Sequence, residues 1–236
     1  RRRLSELVEA LIGLPAGHEY RLRLSSVEPQ EIDDRLIDCL AGSPALAPHL
    51  HLPLQSGSDA MLRRMRRAYR TPAYRRQVEK VARRVSPLAL GADLIVGFPG
   101  ETEADFRETL AFLADLPFTY LHPFTFSPRP GTPAAGWKDR PPGDIASRRL
   151  AAAVSLIRAK QRAFDAAHRN TVHQVLVETA HDDGTVSGLT GTYRTVRMPG
   201  SAGETGRFTL VRVHGFHEDH LAGTPLPAAP GVVETA

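Results

Sequence analysis

Three segments built on one grammar constrain this chain more than any other feature: His49-Leu-His-Leu-Pro-Leu-Gln-Ser-Gly-Ser58, Ile95-Val-Gly-Phe-Pro-Gly-Glu-Thr102 and Phe126-Ser-Pro-Arg-Pro-Gly-Thr-Pro-Ala134. Each begins in an apolar run and ends in a polar turn rich in glycine or proline. An apolar run of that length reads as a buried strand, and the turn opens into a helical pattern. Strand–turn–helix units in tandem build a parallel sheet whose functional loops gather at its carboxyl edge.

The local signals around these units are consistent with that plan. Residues 3–12 carry Leu4, Leu7, Val8 and Leu11 at helical spacing, and Gly13 and Pro15 stop them. Tyr20 to Ser25 alternates polar and apolar residues and reads as a strand, followed by a turn at Ser25–Pro29. Ile32 to Leu40 reads as a short helix, His49 to Leu54 as a strand and Asp59 to Tyr69 as a helix. A further helix runs from Thr71-Pro72 to Arg84, with proline in its first turn. Leu88 to Val96 and Phe118 to Phe126 read as strands. Between them lies a helix capped by Thr102. A long helix is expected from Asp144 to about Arg169.

After residue 170 the pattern changes. Val172–Glu178, Thr192–Met198 and Phe208–His214 are short β-type segments punctuated by glycines. That is the pattern of a small antiparallel barrel. The expected fold class is therefore α/β: a partial TIM-like barrel over residues 1–168, a small TRAM- or OB-like β-barrel over 169–225, and a loose tail over 226–236.

Composition narrows the function classes. With 236 residues, 42% hydrophobic and 24% charged, the chain has material for a normal core. No apolar run reaches membrane-spanning length and no secretory leader is visible, so a cytoplasmic protein without membrane contact is expected. Net charge is +4 and the sequence pI is 9.6, which permits a nucleic-acid partner without demanding one. The single cysteine, Cys39, forbids an internal disulfide and any cysteine-built metal site within the chain.

Several residues could carry chemistry. Gly97 and Gly100 allow backbone to approach a ligand, and the amides of the helix start favour acceptors. Tight strand-to-helix turns use the same residues with no ligand at all. Gln55 projects at the strand's carboxyl edge, while Ser56, Ser58 or Asp59 caps the next helix. Arg129 sits between two prolines, either as a clamp for a carboxylate or phosphate or as a solvated loop charge. Glu28 could accept from a ligand amine or pair with a rim arginine. His49 and His51 share one strand face, as a metal pair would, but no third ligand is close in sequence. Packing in the barrel interior is the alternative. The arginines between Arg63 and Arg84 could meet a phosphate backbone or line a solvated outer face.

In their order and wording, Arg21-Leu-Arg-Leu-Ser-Ser-Val-Glu-Pro29, the His49–Asp59 segment, Arg64-Met-Arg-Arg-Ala-Tyr69, Ile95–Thr102 and Phe126–Ala134 resemble the radical SAM methylthiotransferases that modify tRNA. The resemblance covers about residues 1–225, and Ser-Ser-Val-Glu-Pro is most similar to the MtaB-type branch. It implies a tRNA methylthiotransferase that adds a methylthio group to N6-threonylcarbamoyladenosine. It implies S-adenosyl-L-methionine (SAM) as cofactor, tRNA as partner and a monomer. By this resemblance Ser26, Gln55, Gly97, Gly100, Glu101 and Arg129 lie on the SAM side. Gly188–Arg197 resembles the family's TRAM domain, which makes Tyr193, Arg194 and Arg197 RNA-binding candidates on one strand. The family's 4Fe–4S clusters need cysteine triads that this chain does not contain, so the chain alone is expected to be inactive. A cluster-free RNA-binding remnant and one half of a split enzyme are the alternatives.

Overall fold

The computed structural model describes residues 3–15, 19–217 and 219–227. The chain divides into two compact units, one formed by residues 1–15 and 22–162 and the other by 16–21 and 163–236.

The first unit follows the strand–turn–helix grammar. Helix α1 (Leu4–Ile12) precedes α2 (Asp34–Gly42), whose N-terminus is capped by the Asp33 carboxylate accepting from the Leu36 amide at 3.0 Å. Strand β1 (His49–His51), helices α3 (Asp59–Arg64) and α4 (Thr71–Arg84), strand β2 (Ala89–Val96), helix α5 (Glu103–Asp115), strand β3 (Tyr120–Thr125) and helix α6 (Gly143–Ala167) follow. The strands form a parallel sheet in the order β1-β2-β3. Helices cover it, so the central strand β2 is almost wholly buried and reads as one apolar run. Leu50, Leu52, Leu54, Leu62, Leu90, Leu94, Tyr74 and Val78 are fully buried in the core beneath it. Each such side chain stabilises the unit by about 1.5–3 kcal/mol relative to exposure.

Three elements are shorter than their sequence pattern. Tyr20–Ser25 is not a strand. Within it only Leu22 makes a bridge, to Leu46, and Ser26 just beyond it bridges His51; between them the His49 amide donates to Ala47 O at 2.7 Å instead of to this segment. β1 ends at His51, yet the chain beyond it stays bonded to β2: the Leu52 amide donates to Gly91 O and, after one extra residue, the Gln55 amide donates to Asp93 O, both at 2.9 Å. α3 ends at Arg64 because Arg66 adopts a left-handed conformation, φ 57°, that turns the chain back.

The second unit is a closed barrel of β4 (Val172–Ala180), β5 (Thr185–Leu189), β6 (Thr195–Pro199), β7 (Phe208–Phe216) and β8 (Leu221–Pro225), in the order β4-β5-β6-β8-β7. Val175, Val177, Val186, Val196, Met198, Val211, Val213 and Leu221 fill it. The barrel is not purely antiparallel: β6 and β8 pair in parallel. The sequence pattern missed β5, which is short and glycine-bearing, and β8, which leads into the Pro/Ala-rich tail. Residues 228–236 of that tail lie outside the described residues. No helix among the described residues is long and apolar enough to cross a membrane.

Candidate functional site

A groove of about 590 Å³ opens at the carboxyl edge of the parallel sheet, a volume in the range of small-molecule sites. Its aromatic wall comes from the turns after β2 and β3. Phe98 meets Phe126 and Trp137 edge-on, with centroids 5.0 and 5.8 Å apart. Arg64 holds the loop that carries Trp137 in place. Its guanidinium lies 4.4 Å from the indole, donates to Pro99 O at 2.7 Å and pairs with Asp139 at 2.5 Å.

The polar end of the groove is built by Gln55, Arg67 and Asp93. Gln55 has φ 68°, a left-handed conformation that costs a non-glycine residue free energy. Two ladder bonds to β2 fix it: its amide donates to Asp93 O at 2.9 Å, and Ile95 N donates to its carbonyl at 3.0 Å. The Tyr69 hydroxyl donates to the Pro53 carbonyl just before it at 2.6 Å. Arg67 is aimed by Glu28, which accepts from Nη2 at 3.0 Å, and by Tyr69, whose hydroxyl accepts from Nε at 3.1 Å. The glutamate of the Ser-Ser-Val-Glu-Pro segment therefore pairs with a groove arginine.

The structure distributes the expected SAM-side residues unequally. Gln55 and Arg129 both line the groove. Ser26 lines a separate depression inside the sheet, together with Arg23, Ser25, His51, Asp93 and His122. Gly97, Gly100 and Glu101 line neither. The two glycines have φ 70° and 83°, and a Cβ on them would fall 2.8 Å from Ala146 Cβ and from Arg64 Nε. Their close approach is to protein. Glu101 is buried, accepts from the Gly97 amide at 2.7 Å and pairs with buried Arg149 at 2.8 Å. Burial pushes its carboxyl above the usual range, against the opposing effects of the Gly97 amide and Arg149. The start of α5 is closed by its own Thr102–Asp105 capping box. The Gly-Phe-Pro-Gly-Glu-Thr turn thus latches itself and presents Phe98, not Glu101, to the groove.

His49 and His51 enter an interior polar cluster. The Tyr120 hydroxyl lies 2.8 Å from His49 Nε2 and 3.2 Å from His51 Nδ1, and His51 Nε2 is 3.2 Å from Asp93. Burial, then Arg23, lowers the His49 pKa to about 4, so its ring is neutral near pH 7. Burial raises Tyr120 to about 12. No group of three His, Cys, Asp or Glu residues that could hold a metal occurs among the described residues. Cys39 is buried on α2, and burial raises its thiol pKa.

The expected RNA-binding residues also differ in place. Tyr193 is not on a strand with Arg197; it precedes β6 in a turn, at φ 58°. Arg194 is locked in a two-bond pair with the buried Asp165, at 2.6 and 2.7 Å. Arg197 donates to Asp183 at 2.7 Å and to Thr185 Oγ1 at 3.0 Å while staying partly exposed. Much of the arginine-rich α3–α4 face is ion-paired too: Lys80 and Arg84 with Asp34, and Arg75 with Asp115. Asp93 was missed from sequence, and Arg67 was read only as one of the arginines that could meet a phosphate backbone or line a solvated face, not as a groove residue. Their signal, an arginine just past a helix and an acid inside an apolar strand, was present but had no partner nearby in the chain.

Comparison with known proteins places this architecture. Residues 1–113 match the model of the Radical SAM superfamily. A tRNA-2-methylthio-N(6)-dimethylallyladenosine synthase from Chromobacterium violaceum is 40% identical over 227 residues, covering 94% of this chain and 51% of the relative. The protein of the same name from Nitrosospira multiformis is 35% identical over 235 residues, covering 97% of this chain and 50% of the relative. The chain thus spans about half the length of the curated relatives it matches. A solved structure of coproporphyrinogen III oxidase (HemN) from Escherichia coli, described as a radical SAM enzyme, shares the fold. Its TM-score is 0.52 at 15% identity, over 89% of this chain and 50% of that one. From the family match and the relatives together, residues 1–113 carry the pattern of the Radical SAM superfamily, and the chain is similar along nearly all its length to tRNA-2-methylthio-N(6)-dimethylallyladenosine synthases.

Proposed function

We propose that this chain is the SAM-holding and tRNA-contacting part of a radical SAM tRNA methylthiotransferase, with N6-threonylcarbamoyladenosine as the nucleoside modified. The observation that carries the first half is the groove. It joins an aromatic wall of Phe98, Phe126 and Trp137 to a polar end of Gln55, Arg67 and Asp93. A flat base suits the aromatic wall, Arg67 suits a carboxylate, and Gln55 and Asp93 accept from ribose hydroxyls or an amine. SAM has all of these groups, and when bound it supplies a methyl group and a cleavable sulfonium. Glu28 and Tyr69 keep Arg67 in position, and the capping box of α5 keeps Phe98 in position.

The iron–sulfur clusters that the family implies do not fit the residues present. A cluster needs several thiolates, and the only cysteine is buried on a helix. No step is assigned through a cluster in this chain. The nucleoside reading rests on the Ser-Ser-Val-Glu-Pro segment. The names of the relatives favour N6-dimethylallyladenosine as the second reading.

Trp137 is the single tryptophan and lines the groove, so it reports on the site. Titration of SAM into the chain should change its fluorescence in a saturable way. Adenine and methionine added separately should bind far more weakly. No saturable response, together with no retention of radiolabelled SAM in equilibrium dialysis, would remove SAM from this groove.

A further inference from the structure

The depression inside the sheet has a volume of about 460 Å³ and adjoins the groove through Asp93, which lines both. Their characters are opposite. The groove is walled by aromatic rings, whereas every residue lining the depression is polar or charged: Arg23, Ser25, Ser26, His51, Asp93 and His122. Arg23 supplies a permanent positive charge, and its guanidinium lies against the His49 ring, with Nε and Nη2 at 3.4 and 3.3 Å from the ring nitrogens. The serine hydroxyls and the histidine rings add further donors. Asp93 is the one carboxylate. It takes His51 Nε2 at 3.2 Å and remains 28% exposed, so it has capacity for a second donor.

A ligand arm matching this set offers a carboxylate to Arg23 and the serines, and an N–H or O–H to Asp93. An amino-acid-derived arm offers both. A branched hydrocarbon arm offers neither and would strip water from these groups without replacing its bonds, which is a strong basis for rejection.

We propose that this depression is the subsite for a carboxylate-bearing, amino-acid-derived substituent on the modified nucleoside, with Arg23 as its carboxylate contact and His122 on its outer wall. The proposal deepens the nucleoside reading above and rests on it. The same carboxylate chemistry could come from the methionine end of SAM, and the experiment separates the two sources.

Three probes are titrated against the chain, Arg23→Gln and His122→Ala. They are an anticodon stem-loop RNA carrying N6-threonylcarbamoyladenosine, the same RNA carrying N6-dimethylallyladenosine, and SAM alone. RNA binding is read by anisotropy and SAM binding by Trp137 fluorescence. The unaltered chain should prefer the threonylcarbamoyl RNA by about tenfold or more, the scale of one charge-assisted contact. Both variants should lose most of that preference while holding SAM as before. Arg23 also contacts both ring nitrogens of His49, at 3.4 and 3.3 Å, so the exposed His122 provides a second variant that leaves these contacts in place. If Arg23→Gln loses SAM affinity and keeps the RNA preference, the carboxylate belongs to SAM and the proposal is overturned. Equal affinity of the unaltered chain for the two RNAs overturns the subsite and leaves the tRNA reading standing. No binding of either RNA at about 50 mM salt overturns the tRNA reading and the subsite with it.

Discussion

Gly91 and Tyr120 face each other across the β2–β3 ladder, and the tyrosine ring occupies the space a side chain at position 91 would need. A Cβ on Gly91 would fall 1.8 Å from Tyr120 Cζ. That missing side chain lets Tyr120 lie over the strand and put its hydroxyl between His49 and His51. Gly91→Ala should therefore displace the ring and cost about 1–3 kcal/mol, the range for overpacking. Denaturant unfolding of the variant checks this. An unchanged midpoint with an unchanged tyrosine environment by NMR would contradict the packing described.

Glu101 and Arg149 form a buried pair whose side chains are 1% and 6% exposed. Glu101→Gln removes the buried counter-charge and leaves the guanidinium only the exposed Glu103, 3.4 Å from Nη2. The expected loss is about 3–5 kcal/mol, seen as a lowered unfolding midpoint. If Glu101 instead served the cofactor, SAM affinity would fall with stability intact.

Arg67→Ala removes the cation at the polar end of the groove. SAM affinity should drop by about 10- to 100-fold, the scale of a charged hydrogen bond. Glu28→Gln should give a smaller loss, because it loosens the arginine without deleting it. A SAM titration followed at Trp137 measures both. Equal losses for the two would mean that Glu28 touches the ligand itself.

His49 and His173 both have pKa values lowered to about 4, chiefly by burial, with Arg23 and His51 acting on His49 and His168 on His173. The folded state holds these rings neutral, while the unfolded chain takes up protons near pH 6.5. More protons bound in the unfolded state means that stability rises with pH. Stability is therefore full above about pH 6.5 and falls as pH drops toward 4, by up to about 1.4 kcal/mol per pH unit for each ring. Thermal unfolding between pH 7 and 4 should show this slope, and His49→Gln should flatten it.

Arg197 is held by Asp183, so in the tRNA reading it must leave that partner to meet a phosphate. Asp183→Asn should strengthen tRNA binding a few-fold, since it frees the arginine and removes a repelling charge. Arg197→Ala should weaken binding and lower the log–log salt slope by about one unit. Salt-dependent anisotropy distinguishes these outcomes. No change in either variant removes Arg197 from the interface.

Much of the architecture was legible in the chain because it is locally encoded. The apolar run ending at Val96, the cap at Thr102 and the proline at the start of α4 depend on neighbours a few residues away, and all three lie where their pattern placed them. The glycines at 97 and 100 marked a turn for the same reason: each adopts a positive φ that other residues resist. What they approach was not local information, and the structure fills that space with Ala146 and Arg64. Strand lengths deviated where the ladder slips by a residue, as between Leu52 and Gln55, and β5 and β8 escaped notice because each is stabilised by closing the barrel rather than by its own residues.

The sequence by itself determined the periodicities, the caps and the turn conformations, and so the parallel sheet and the change to a small barrel. Only the tertiary structure decided which charges were available for function. Arg194, Arg197 and Glu101 were taken by Asp165, Asp183 and Arg149, while Arg67 and Asp93 were brought beside Gln55 at the groove. The physical reason is that ion pairs and site walls join residues far apart in the chain. Their choice of partner is set by packing geometry and desolvation, neither of which leaves a period in the sequence.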